Sequence, residues 1–243
     1  MGLPDLPEPN PLLTAWADAV DAPDEADRRE RAIADFAFAV PDDKSLERVA
    51  EAPNGVVELG AGTGYWARLL SERGVDVLAF DVAPPPSPDN PWFASSIPWF
   101  DVRVGDQSVL DAHPHRTLLL VWPTRNEDWP GDAVERFAAA GGTHLLHVGE
   151  GPGGHTGDDR FHALVGSLDR CWSCAYGVTN TACVCGIVPR FERMESVTLP
   201  HWTDYEDDLH VHVAVQDAAP LGPTPARRQR RSRVPRLSRR DRR

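Results

Sequence analysis

The sequence predicts a doubly wound α/β domain, and three observations carry that prediction. Apolar, strand-like runs alternate with segments of helical spacing through most of the chain. One of those runs enters a glycine-rich turn that opens directly into a helix, "VVELGAGTGYWARLL" from Val56 to Leu70. The last two apolar runs have no helix between them. Alternation builds a parallel sheet covered on both faces, because each parallel connection needs a crossover. The absence of a crossover at the end predicts an antiparallel pair at one edge.

In chain order, "TAWADAVDAPDEADRRERAIADFAF" (Thr14–Phe38) has Ala-rich helical spacing broken at Pro23, which predicts two helices before the first strand. We delimit this N-terminal helical cap as residues 1–35. "SLERVAEA" is a further short helix, ended by Pro53-Asn54-Gly55. Then come "GVVELG" as strand, "YWARLLSERG" as helix and "VDVLAFD" as strand, followed by a Pro-rich loop from Pro84 to Pro91. "WFDVRVGD" and "TLLLVWP" read as strands, "DAVERFAAAG" as helix, "THLLHVGE" as strand and "DDRFHALVGSLD" as helix. "FERMESVTLP" and "DLHVHVAVQ" are the closing strands. The main domain is placed at 36–217, and the Pro- and Arg-rich stretch 218–243, almost without apolar residues, is predicted to be disordered.

Charge is divided unevenly along the 243 residues. Residues 227–243 hold 10 arginines and one aspartate, a net +9, which leaves -21 on residues 1–226 out of a total of -12. An acidic body repels polyphosphate backbones, so nucleic acid could engage only the tail, through salt-dependent and sequence-blind phosphate contacts. No apolar run reaches the roughly 18 residues that span a membrane, so no membrane partner is expected. The N-terminus lacks a basic cluster followed by an apolar stretch, and a cytoplasmic location is the default expectation.

Glycines between a strand and a helix let the backbone turn sharply and approach a ligand, while the helix N-terminus offers unpaired N–H groups and a positive partial charge. The dinucleotide fingerprint G-x-G-x-x-G fits Gly60 and Gly62, but its third position is Tyr65. The glycine falls one residue early, at Gly64, and Glu58 stands two before the first glycine. No lysine follows that would suit a triphosphate.

Glu58-x-Gly60-x-Gly62-x-Gly64 resembles motif I of class I S-adenosylmethionine-dependent methyltransferases. The resemblance extends to Asp81, 17 residues past Gly64 at the end of "VLAFD", and to Gly105 and Asp106 in "VRVGD". It implies a Rossmann-like, seven-stranded, mostly parallel sheet and S-adenosylmethionine as cofactor. Gly60, Gly62 and Gly64 would line its methionine portion, with Ala61, Thr63 and Tyr65 beside them. Asp81, followed by Val82, would take the ribose diol, for which a carboxylate is the right acceptor, and Gly105-Asp106 the adenine side. The similarity spans about Phe36 to Val215, and is closer to a group of methyltransferase-like proteins carrying "FAFAVP", "GGHTGD" and "LPHW...DDLHVH" in this order.

At the motif IV strand, Trp122-Pro123 stands where amino-group methyltransferases commonly carry Asp or Asn before Pro-Pro and an aromatic. That departure counts against base or amide N-methylation. Trp122 is read as stacking on a flat substrate, as a wall of the cofactor pocket, or as core. The resemblance thus implies a methyltransferase acting on a small-molecule substrate, with the N-terminal helices and "FAFAVP" as part of its lid. A cofactor-binding module without transfer activity and a nucleic-acid-directed enzyme using the Arg-rich tail are the alternatives.

A general base is needed where the methyl acceptor begins protonated, and the candidates stand at carboxyl ends of strands. Glu150 ends "THLLHVGE", and His155 lies in the glycine-rich loop after it. In the same loop Asp158 reads as the cap of the next helix. His210 and His212 share one face of the last strand, as half a metal site or as a solvated face. Cys171, Cys174, Cys183 and Cys185 fall within 15 residues, inside what looks like an insertion at 168–188. C-x2-C followed by C-x-C can hold structural zinc. Inert thiols and redox chemistry are the competing readings.

Overall fold

A computed structural model describes residues 2–151, 153–165, 196–199 and 209–215. Three helices precede the sheet: α1 (Pro11–Ala19), α2 (Glu25–Asp35) and α3 (Asp43–Ala50). The alternating part then runs β1 (Val56–Leu59), α4 (Tyr65–Glu72), β2 (Val77–Asp81), β3 (Val102–Val104), β4 (Thr117–Val121), α5 (Trp129–Ala139), β5 (His144–Gly149) and α6 (Asp159–Val165). β6 (Ser196–Leu199) and β7 (Leu209–Val215) follow.

The expected α/β class with a parallel sheet is what the chain forms. Five strands run parallel in the order β3-β2-β1-β4-β5, and β7 then β6 continue the sheet beyond β5 with antiparallel pairing. Strand order reverses between β1 and β4, since β1 leads outward to β2 on one side and β4 to β5 on the other. The crevice at such a switch point is where open α/β sheets bind ligands.

The central strands are covered on both faces. β1 is buried at all four residues and β4 at four of five. Alternation divides their side chains between two apolar clusters. Val56 and Leu119 join α1, α3 and α4 on one face, while Val57, Leu118 and Leu120 meet α5 and α6 on the other. β3 is the weakest parallel strand, three residues with Val104 mostly exposed. "WFDVRVGD" therefore supplies a shorter strand than its pattern predicts, and its last residue, Asp106, instead caps an unforeseen 3-10 helix, Gln107–Ala112.

The N-terminal helices share the main core: Leu12, Ala19 and Ala32 are buried in one cluster with Trp66 and Leu70 of α4. Tyr65 clips them down. Its hydroxyl accepts the Leu12 N–H at 3.2 Å and donates to Asn10 Oδ1 at 2.8 Å, and Asn10 also caps α1. Tyr65→Phe leaves a buried N–H without its acceptor, so the unfolding free energy in urea is expected to fall by about 1–3 kcal/mol. A loss under a few tenths would show that this clip carries no stability.

No helix among the described residues is long and apolar enough to cross a membrane. The residues of the Arg-rich tail and of the Cys-rich insertion lie outside those described.

Candidate cofactor and acceptor cavity

A cavity of about 730 Å³ opens at the carboxyl ends of β1, β2 and β4, within the roughly 300–1,000 Å³ typical of small-molecule sites. One end is the bend after β1. Gly60 and Ala61 both donate to the Phe80 carbonyl, at 2.8 and 3.0 Å, which fastens the bend to β2. Asp81, at the tip of β2, accepts the Gly62 N–H on Oδ2 and the Ala83 N–H on Oδ1, each at 2.9 Å. Gly62 has φ +53, and a Cβ there would stand 2.7 Å from the Phe93 ring. A glycine is thus required both by the backbone and by the ring that covers it.

Of the residues expected at the cofactor, Glu58, Gly60, Ala61, Gly62, Thr63, Tyr65, Asp81, Val82, Gly105, Asp106 and Trp122 all line this cavity. Gly64 does not: it is the left-handed N-cap of α4 and faces Phe100 and Val102 instead. Its requirement for glycine comes from helix–strand packing, so its place in the motif is structural. Asp106 accepts the Ser108 N–H at 2.8 Å, and the Ser108 hydrogen bonds hold its carboxyl below the usual carboxylate range.

Glu58 is the unusual group. It is 2% exposed and has its Oε2 buried with no hydrogen-bond partner among the described residues. Burial, and then the neighbouring Asp81 charge, push its pKa up to about 8, against a backbone hydrogen bond from Ala67 in the first turn of α4. A buried carboxyl with an unused oxygen on a cavity wall is a site shaped for a cationic or donor group that the protein itself does not supply.

The other end of the cavity is aromatic. Phe38 stacks on Trp122 with ring centroids 5.8 Å apart and planes 5° from parallel, and meets Trp92 edge-on at 5.5 Å and Phe93 at 5.9 Å. Trp122 reaches this position through a left-handed backbone, φ +50, a strained conformation of the kind that clusters at ligand sites. Asn90 shapes the loop that carries Trp92 and Phe93. Its Oδ1 accepts both of their N–H groups and its Nδ2 donates to the Ala83 carbonyl. Sequence patterning did not single out Asn90 or Phe93, because their loop has no period, and it reached Phe38 only as part of "FAFAVP". The spacing Asn90-x-Trp92-Phe93 after a proline run, an Asx-turn signature, was the available signal.

The two candidate bases are coupled, and they occupy different places. His155 lines the cavity and is half exposed, whereas Glu150 lies beneath it, 0% exposed and outside the lining. Glu150 Oε2 accepts the His155 backbone N–H and stands 3.0 Å from His155 Nδ1. With Glu150 as carboxylate, Nδ1 carries the proton and Nε2 is the basic nitrogen. Glu150 therefore orients His155 and does not reach the cavity, which corrects its expected role as a base. The loop is held by the Thr124–Thr156 bridge and by Gly157 donating to the Pro123 carbonyl, so the loops after β4 and β5 form one rim. Asp158 accepts the Phe161 N–H at 2.7 Å and caps α6, as its position predicts.

Five carboxyl groups and two arginines stand on the cavity wall, a balance unsuited to a polyanion. Among the described residues no group of three or more His, Cys, Asp or Glu could hold a metal ion. The zinc expectation at Cys171, Cys174, Cys183 and Cys185 falls on residues outside those described, and β7 is described only as backbone, which leaves His210 and His212 without a side-chain account.

No family model matches the chain, and no curated protein does. Among solved structures, it is similar to human N-acetylserotonin methyltransferase in complex with S-adenosylmethionine, at 12% identity and a TM-score of 0.39, covering 84% of this chain and 65% of that one. It is also similar to magnesium protoporphyrin IX methyltransferase of Synechocystis with bound S-adenosylhomocysteine, at 11% identity and a TM-score of 0.39 over 84% and 94% of the two chains. A third is an MtNAS variant in complex with S-adenosylmethionine, at 12% identity and a TM-score of 0.39 over 85% and 72%. At such identities and scores these are distant likenesses of fold, and function is read from the cavity itself.

Proposed function

We propose that the protein is an S-adenosylmethionine-dependent methyltransferase acting on a small, flat acceptor that gives up a proton as it is methylated. We read the β7–β6 pair as completing a seven-stranded sheet around that site. The observation that carries the reading is the hydrogen bond from the Gly62 N–H to Asp81 Oδ2 at one end of the cavity. It places a carboxylate, with lone pairs to spare, against a glycine bend whose backbone lines the same space.

The cofactor, when bound, supplies a methyl group on a sulfonium for in-line displacement. The remaining chemistry belongs to the chain's own residues. Asp81 holds a ribose diol, and the Gly60–Gly62 backbone admits the amino-acid end. Phe38, Trp92 and Trp122 stack on a planar acceptor and exclude water, so alignment and desolvation supply much of the rate. His155 Nε2 takes the acceptor's proton, with Glu150 fixing the ring and stabilising the imidazolium. The acidic balance of the wall favours this reading over a nucleic-acid substrate.

Calorimetric titration with S-adenosylmethionine beside NAD tests the cofactor: binding of the first alone is expected, and binding of NAD alone contradicts the proposal. Methyl transfer is then followed with labelled cofactor against hydroxylated arenes. His155→Ala is expected to lower kcat roughly 10²–10⁴-fold with cofactor affinity within about twofold. Glu150→Gln should give a smaller loss and shift the pH–rate profile, as befits a positioning residue. An unchanged rate in His155→Ala removes the base from the proposal.

A further inference from the structure

The base of the proposed reaction sits on a loop that its own composition would leave loose. Between Glu150 and α6 the chain holds glycines at 151, 153, 154 and 157, and Gly153 and Gly157 take φ +92 and +63. Glycine gives such a segment many conformations to choose among, while a displacement of about 1 Å can cost a reacting group roughly 100-fold in rate. Something must therefore hold His155 in place.

Most of its ties come from the loops themselves. The His155 N–H donates to Glu150 Oε2, and Thr156 Oγ1 donates to the Glu150 carbonyl at 2.8 Å. The Gly157 N–H donates to the Pro123 carbonyl at 2.9 Å, and the Asn126 N–H to the Gly157 carbonyl at 3.0 Å. All these partners lie in the loops after β4 and β5. One further tie comes from a helix. His162, buried in the middle of α6, stands with its Nε2 2.6 Å from the carbonyl of Thr156, the residue after His155. A carbonyl only accepts, so Nε2 carries the proton. Nδ1 is buried without a partner among the described residues, and burial holds the imidazole below its usual range against the Thr156 hydrogen bond, so the ring is a neutral, single donor. The helix beneath it is anchored on two sides. Phe161 meets the His147 ring of β5 edge-on with centroids 5.0 Å apart, and Arg160 bonds Asp132 and Glu135 of α5, each at 2.7 Å.

We propose that His162 is a positioning residue for the base: its Nε2–H, given to the Thr156 carbonyl, ties the peptide beside His155 to α6 and keeps the His155 ring against Glu150. His162 is not part of the cavity lining, so it acts on the ligand only through this loop. The proposal rests on the reading of His155 as the base and adds the side chain that holds it there.

The full-length chain with three substitutions tests it. His162→Leu removes the donor, His162→Phe does so with an aromatic ring in its place, and His162→Gln supplies another N–H. Each should bind S-adenosylmethionine within about twofold of the unsubstituted protein, since none touches the cavity. With a hydroxylated arene, the Leu and Phe variants should lower kcat roughly 10-fold with the acceptor KM within about twofold, and Gln should recover to within about threefold. In a His155→Ala background, His162→Leu should change kcat by less than about twofold, because its target is gone. Proton NMR reads the same geometry without an acceptor: a slowly exchanging His155 Nδ1–H is expected in the unsubstituted protein and in His162→Gln, and is lost in His162→Leu.

Undiminished kcat in both donorless variants overturns this proposal alone, as does an equal loss with and without His155 or an unchanged Nδ1–H signal in His162→Leu. Loss of S-adenosylmethionine binding in both donorless variants also overturns it, by assigning His162 to the fold instead of the base. Absence of methyl transfer by the unsubstituted protein overturns the reading of His155 and this proposal with it.

Discussion

Asp81→Ala is expected to weaken S-adenosylmethionine binding by roughly 100-fold or more in calorimetric titration, since two hydrogen bonds to a charged acceptor, each worth about 1.5–3 kcal/mol, are removed together. The side chain has two functions. It offers a carboxylate to a diol, and it ties the Gly62 and Ala83 N–H groups so that the bend keeps its shape. Asp81→Asn separates them: one amide oxygen can still hold one backbone N–H, but the paired acceptor for a diol is gone. Most of the affinity loss should therefore persist in Asp81→Asn, while more of the thermal stability is retained than in Asp81→Ala. Full affinity in either variant would mean that the ligand lies elsewhere.

The second large effect concerns folding. Gly64→Ala is expected to cost about 2–5 kcal/mol of unfolding free energy in urea, combining a left-handed backbone with overpacking. Gly64 has φ +75, and a Cβ there would stand 2.7 Å from both Phe100 Cβ and Val102 Cγ2, with the Phe100 backbone nitrogen at 3.2 Å. None of these is the far end of a flexible side chain, so β3 itself would have to shift. Gly74→Ala provides the comparison. It has φ +81 with nothing within 4 Å of a Cβ, so only the backbone penalty of about 1–2 kcal/mol applies. Equal losses at the two positions would refute the packing component.

The parts of the site that the sequence made legible are those set by local geometry. A bend of alternating glycines between strand and helix has few uses, and Asp81 was reached through the family resemblance, which implies a carboxylate at the end of the next strand. The same logic over-assigned Gly64, because spacing reports that a glycine is needed without saying whether a ligand or a neighbouring strand needs it. Glu150 and His155 were picked out from the end of one strand and the loop that follows it. Which of them faces the cavity depends on how that loop folds over the β4 rim, through the Thr124–Thr156 bridge, and sequence spacing does not contain that pairing. The aromatic half was least legible. Phe38, Phe93 and Trp122 are separated by tens of residues and lie in segments without periodicity, so nothing short of tertiary structure gathers them.

The C-terminal end of α2 and the segment that joins it to α3 bear on how a ligand enters. Their carbonyl groups are seized in succession by side chains of the main body: Ser96 Oγ donates to Ala34, Trp99 Nε1 to Asp35 at 2.7 Å, Thr63 Oγ1 to Phe36, and Trp66 Nε1 to Ala39 at 3.0 Å. Four donors spread over six residues make this wall a fixture where the sequence suggested a lid, since swinging it outward would strand two indole N–H groups at once. The aromatic side chains of the neighbouring loops lean on this wall, since Trp92, Phe93 and Trp122 all pack against Phe38. Any widening of the chamber must therefore come from the loops that lean on this wall, because the wall itself is tied down at four points.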